Sequence, residues 1–406
     1  MRRVAVFSLG GIGNFGDEII DETTAWLIRS LRPDLEVLPC ELHPRLRDYP
    51  LVLRGDWFLG RALRLLYRSG FFRRVLGSRR LWFDDLTWRV RVGRYGRNRL
   101  ARADALVYAI GMIKFRNQGL SSLAALLNAE AQRRGIPVML SAGSVARADS
   151  SDSRFLQLQR ALRLPVIRAI SSRDGETGVE RLRRDYGLDV SDLSAVGDPA
   201  LWIPECFDIR SAPADRSVIG VNLARHRLFA DYDGGASDDE LIVFYGALGR
   251  ELDRRGYRWV LFSNGMAQDE RFGRELLAAH GWPAERLLPR PKNVREFCLR
   301  VNSFACVFAI RLHAALTSWA LGVPVAGIAW DDKIRLVART LGEEGRFLGS
   351  DALDVARALD VLEAARANPV DRSRITALRE ATRSALARFL DRELPRAAAE
   401  EGGAPC

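Results

Sequence analysis

Short apolar runs of strand length alternate with helical stretches along most of the chain, and the alternation happens twice. The first series is "VAVFSL", "EVLPCEL", "ADALVYAIG", "IPVMLSAG", "PVIRAIS" and "LSAVGD"; the second is "SVIGVNL", "YRWVLFS", "FACVFAI" and "VPVAGIAW". Between them lie segments with helical spacing, such as "DEIIDETTAWLIRSL", with Ile19, Ile20, Thr23, Trp26, Leu27 and Leu31 on one side. Parallel strands need a long crossover, usually a helix, so this pattern predicts α/β domains built on parallel sheets. The Pro- and Ser-containing stretch "PECFDIRSAPADRS" separates the two series. The expected organisation is a Rossmann-like domain over 1–210, a second over 211–345, and C-terminal helices with a tail over 346–406. Two such sheets face each other across a cleft, and ligands collect at the carboxyl ends of their strands.

Charge is placed unevenly. The 406 residues carry a formal net charge of +11, and three of the 62 basic residues are Lys: Lys114, Lys292 and Lys333. Between Arg54 and Arg102 stand 14 Arg against Asp56, Asp84 and Asp85, so the rest of the chain is close to neutral. Nine aromatics, from Trp57 to Tyr95, are interleaved with those Arg. We read 54–102 as an insertion in the first domain. Its amphipathic cationic stretch "FLGRALRLLYRSGFFRRVLG" suits peripheral contact with an anionic membrane or a solvated basic face. No recognised nucleic-acid module accompanies it, so no nucleic-acid partner is expected. No run of about 18 apolar residues could span a bilayer. The five scattered Cys contain no C-x-x-C, which argues against a zinc site or a disulfide framework. A cytoplasmic location is expected, with peripheral membrane contact as its extension.

Three places could carry chemistry. The first follows the first strand, where "GGIGNFGDE" spells G-x-G-x-x-G through Gly11, Gly13 and Gly16. A dinucleotide would set its pyrophosphate at the helix start, where Asp17 and Glu18 repel it. A tight turn, or a loop for an uncharged polar ligand such as a sugar, suits these acids better; Asn14, Gly16 and Asp17 are the candidate contacts. The second place is "AISSRDGETGVERL". Ser172 and Asp174 can cap a helix there, and Arg173 can grip a carboxylate or phosphate bidentately. The third is "VFAIRLHAALTSWALGVP", where a buried strand delivers Arg311 and His313 to a helix start. A cation, an imidazole and a helix N-terminus together make an anion site with a proton donor. Asp198 in "VGDPALW" reads as a cap. Lys333 in "AWDDKI" reads equally as an ion-pair partner or a ligand contact.

Taken in order, "GNFGDE", "SSRDGETGVERL", "GDPA" and "RLHAALTSWALGVPVAGIAWDDKIRLVARTLG" resemble the polysaccharide pyruvyl transferase family over roughly 1–50 and 103–345. The resemblance implies a GT-B-like fold and transfer of the pyruvyl group of phosphoenolpyruvate (PEP) to a sugar, with a cyclic ketal formed and phosphate released. It implies that Arg173, Arg311 and His313 hold PEP and act in catalysis, with backbone donors at Leu312 and His313. It also implies that Asn14, Gly16 and Asp17 face a sugar or lipid-linked glycan acceptor. Ser172 and Lys333 complete the expected binding set. No cofactor or metal is expected; PEP serves as donor substrate. The chain departs from the family after the third strand, reading "YAIGMIKFRNQG", and later at "SAGSVA". Both places lie on the acceptor side, so acceptor specificity does not carry over. The competing expectations are a GT-B glycosyltransferase using a nucleotide sugar and a catalytically inactive glycan-binding relative.

Overall fold

The computed structural model describes residues 1–8, 14–41, 98–115, 120–209, 216–224, 236–350, 353–368 and 370–396. The glycines at 10, 11 and 13 and nearly all of the basic segment 54–102 lie outside the described residues.

The first domain is a six-stranded parallel sheet in the order β2-β1-β3-β5-β7-β8. Its elements are β1 (Arg3–Ser8), α1 (Phe15–Leu31), β2 (Glu36–Glu41), β3 (Ala105–Ala109), β4 (Met112–Ile113), α2 (Leu120–Arg134), β5 (Val138–Leu140), β6 (Ser144–Val145), α3 (Ser153–Leu162), β7 (Ile167–Ser172), α4 (Gly175–Glu180) and β8 (Asp192–Ala195). Strands β4 and β6 form a small parallel pair beyond the sheet's carboxyl edge. Every residue of β3 is buried, as expected for a parallel strand covered on both faces. A 3-10 turn, Pro199–Trp202, and α5 (Ile203–Cys206) lead out of the domain.

The second domain is a five-stranded parallel sheet in the order β10-β9-β11-β12-β13. It contains β9 (Val218–Asn222), α6 (Asp238–Arg254), β10 (Arg258–Phe262), α7 (Ala267–His280), α8 (Val294–Asn302), β11 (Cys306–Ala309), α9 (Leu312–Ala320), β12 (Val325–Ala329), α10 (Asp332–Leu341) and β13 (Phe347–Gly349). Sequence-level signals fix several helix ends. Ser237 and Glu240 form a reciprocal capping box on α6. Gly342 ends α10 in the left-handed conformation, at φ 75°.

The C-terminal helices divide between the domains. Helix α11 (Val355–Ala367) packs Ala358, Leu359 and Leu362 onto the second sheet. Helix α12 (Arg372–Glu393) returns to the first: Leu386, Phe389 and Leu390 cluster with Val4, Val6 and Val107. Arg32, 2% exposed, ties that return by donating to the carbonyls of Leu390 and Leu394. The domains also share apolar contact at the start of α1. Phe15 and Ile19 lie in one cluster with Phe262, Phe297 and Leu312 of the second domain. Burying a side chain such as Phe15 stabilises by roughly 1.5–3 kcal/mol, so this contact holds the cleft together at its base. Among the described residues no helix is long and apolar enough to cross a membrane.

Candidate functional site

The carboxyl ends of the two sheets meet around the first turns of α1 and α9. On the first-domain side, Asn14 caps α1: its side chain accepts from Gly16 N and donates to Asp17 Oδ2 at 2.7 Å. Phe15 N donates across the cleft to Asn264 O at 3.1 Å. Gly16 is pressed against His313, and an added Cβ would stand 2.3 Å from His313 Nδ1. Glycine is required here by this close approach. Asp17 is half-buried. Burial raises its carboxyl above the usual range, opposed by the Asn14 hydrogen bond and the charges of Lys114, Lys333 and Arg173.

Strand β7 ends at Ser172, and Arg173 follows in the turn before α4. Ser172 is fully buried; its hydroxyl donates to Gly143 O at 3.0 Å and accepts from Asp174 N. Its role in this structure is to fasten two strand ends together. Arg173 is 2% exposed and donates to Ser144 Oγ, to the Gly111 carbonyl and to Asp198. Three of its five N–H groups are thus held by the fold. The bidentate grip expected from the sequence would fall to the remaining two.

On the other wall, β11 delivers Arg311 to the N-cap of α9. Its backbone N–H donates to Asn222 Oδ1, and Asn222 in turn donates to Asn264 Oδ1, so the ends of three strands are cross-linked by side chains. The Arg311 guanidinium pairs with buried Asp269, while its Nε is buried without a partner. Leu312 is buried and packs into the shared core, which leaves its backbone rather than its side chain for the site. First-turn N–H groups of a helix have no intrahelical acceptor. The ring of His313 is half-buried, and its Nε2 is buried without a partner. Burial pushes the imidazole down to about 3, with Asp198 opposing and Arg173 and Lys333 adding to the shift. Lys333 Nζ lies 2.7 Å from Asp331 Oδ2 and 4.7 Å from the centre of the Trp330 ring. Next to it, Asp332 bridges the domains by accepting from Arg147 and Arg181 at 2.7 and 3.2 Å.

The predicted residues therefore converge from both domains. Gly16 touches His313, and Asp17, Arg173, Lys333 and His313 share one electrostatic neighbourhood. Sequence reasoning passed over Asp269 and Asn222. Asn222 had a signal, since it ends a buried strand; Asp269, inside the first turn of α7, had none. Among the described residues no group of three or more His, Cys, Asp or Glu is arranged to hold a metal ion. Buried polar atoms without partners are uncommon and costly. The Arg311 Nε and the His313 Nε2 stand at one helix start among cations, which is an arrangement for an anion beside a group that can exchange a proton.

Two parallel α/β domains with facing strand ends and a last helix returning to the first domain define the GT-B type of fold. Solved structures agree. The chain is similar to S. aureus MnaA in complex with UDP (TM-score 0.57, 12% identity, 99% of this chain and 100% of that one). It is similar to Neisseria meningitidis UDP-GlcNAc 2-epimerase bound to UDP-GlcNAc (0.57, 13%, 96% and 100%) and to the spinosyn rhamnosyltransferase SpnG (0.51, 15%, 97% and 100%). By sequence, no curated protein matches significantly. The polysaccharide pyruvyl transferase family matches over residues 14–332, most of the chain, and the chain belongs to that family.

Proposed function

We propose that this protein transfers the pyruvyl group of PEP to two hydroxyls of one sugar, on a polysaccharide or lipid-linked glycan, and releases phosphate. The observation that carries this reading is the pair of partnerless buried atoms, Arg311 Nε and His313 Nε2, at the first turn of α9. They suit a donor that brings both a carboxylate and a phosphate.

The chemistry assigns roles to each wall. One acceptor hydroxyl adds its oxygen to the central carbon of PEP while a proton goes to the methylene carbon. A second hydroxyl of the same sugar then bonds to that carbon as the carbon–oxygen bond to phosphate breaks; its proton leaves with the phosphate, whose P–O bonds stay intact. Arg311 and the two unengaged N–H groups of Arg173 stabilise the charge that grows on the leaving phosphate. His313 is neutral in the free site. Burial is the main reason for this and the neighbouring cations add to it; a polyanionic donor offsets those cations, and the ring can then take and deliver a proton. Asp17, with its raised carboxyl and its place on the opposite wall, accepts the proton of the attacking hydroxyl. The backbone N–H groups at Leu312 and His313 add donors, and Lys333 adds positive charge. The test is phosphate release from PEP in the presence of glycan acceptors. Calorimetric binding of a nucleotide sugar, with no response to PEP, would move the assignment to a glycosyltransferase.

A further inference from the structure

Asp198 pairs with Arg173, and its position links more of the site. It lies three residues beyond the end of β8 and heads the 3-10 turn Pro199–Trp202, where Oδ1 accepts from Ala200 N at 2.7 Å. Its Oδ2 pairs with Arg173. The carboxylate is fully buried. The backbone beneath it is pinned from the far end of the chain. Gly197 N donates to Leu378 O of α12, and Thr382 Oγ1 donates to Gly197 O at 2.9 Å. A Cβ on Gly197 would stand 2.8 Å from the Leu378 Cβ, so the turn cannot shift toward α12. On its other side the 3-10 turn packs against α9, the helix that begins at Leu312 and His313. Asp198 is therefore a fixed charge between the returning C-terminal helix and the helix that carries the imidazole.

We propose that Asp198 is a positioning residue: it holds the Arg173 guanidinium at the cleft and is the counter-charge that lets His313 carry a proton while an anion is bound. The groups around His313 fit this assignment. Arg173 and Lys333 oppose a proton on the ring, and Arg311, paired with Asp269, stands two residues before it at the N-cap of α9. Asp17 faces the same space from α1 but is itself held toward its neutral form by burial. Among the carboxylates, Asp198 acts most strongly on the ring in favour of the proton. The inference rests on the anion-site reading, but not on PEP being the anion.

The test uses the full chain and inorganic phosphate. The protein has four His (His43, His226, His280 and His313), few enough for each imidazole to be followed by nitrogen NMR, with His313→Asn assigning the signal. Asp198→Asn keeps an acceptor for Ala200 N and removes the charge. In saturating phosphate the titration of His313 should fall by about one pH unit or more in D198N relative to wild type, the size expected for losing a nearby opposite charge. Asp198→Glu, which keeps the charge, should stay close to wild type and serves if D198N does not fold. With PEP, D198N should lose turnover, because both the Arg173 guanidinium and the His313 proton lose the charge that holds them. A His313 that ignores phosphate in wild type, or that titrates identically in D198N, overturns the proposal. Phosphate-responsive His313 without PEP turnover would leave Asp198 in its role and refute the donor instead.

Discussion

Gly16→Ala tests whether the two walls of the cleft fit as described. The added Cβ would lie 2.3 Å from His313 Nδ1, 2.6 Å from Cγ and 3.0 Å from Cβ, where ordinary contact begins at 3.4 Å. The overlap is about 1 Å against a ring, and neither side yields easily. The start of α1 is held by the Asn14 cap and by Phe15 N donating to Asn264 O. The base of α9 is held by Leu312 in the shared core and by Arg311 N on Asn222. Either the imidazole leaves its rotamer or the domains part. Overpacking of this kind costs about 1–3 kcal/mol. If most of that falls on the placement of His313, kcat/KM drops by roughly 5- to 150-fold. The assay is steady-state phosphate release, with a thermal melt alongside that should fall by a few degrees. Gly345→Ala is the control, because its Cβ would meet nothing within 4 Å. A Gly16→Ala enzyme with wild-type kcat/KM and melting temperature would refute the close approach.

Arg173→Lys should weaken PEP binding, because one ammonium cannot replace a guanidinium engaged with Ser144, Gly111 and Asp198 at once. Unchanged PEP affinity by calorimetry would place the residue outside the donor site. The depressed His313 also predicts a pH effect on stability. Its folded pKa of about 3 lies below the ordinary value of 6.5, so the unfolded chain binds the proton more tightly. Its contribution is therefore fully present above about pH 6.5 and is lost as pH falls toward 3. His313→Gln should flatten the loss of denaturant midpoint between pH 7 and pH 4, and a parallel fall in both proteins would contradict a buried neutral ring. For the basic segment 54–102, flotation with anionic vesicles at low salt should carry the protein upward; no binding there ends the membrane assignment.

Much of the site could be read before the fold was known, for identifiable reasons. "FAIRLHAAL" is a buried strand running into a helix, so Arg311 and His313 had to emerge at a strand's carboxyl end. Asp17 was legible because acids mark the first turn of a helix, whereas Asn14, expected as a ligand contact, proves to cap that helix. What could not be read was pairing across the chain. The reason for Gly16 is the His313 ring, which belongs to the other domain. Ser172 stood beside a promising Arg, yet its hydroxyl is engaged by Gly143 inside the first domain. The π-turn Arg181–Asp185, which brings Arg181 to Asp332, reads from sequence as ordinary helix. The return of α12 to the first sheet depends on Arg32 meeting Leu390 and Leu394, a contact that no local pattern announces.

Donor transfer as proposed requires Arg311 and His313 to hold PEP. The direct measurement is mass spectrometry of a glycan panel incubated with protein and PEP, with phosphate release followed in parallel. The expected result is an adduct equal to pyruvate less one water on one glycan, matched by phosphate, and neither signal with a folded His313→Ala protein. An equal adduct from His313→Ala, or PEP-independent modification by the wild-type protein, would contradict it.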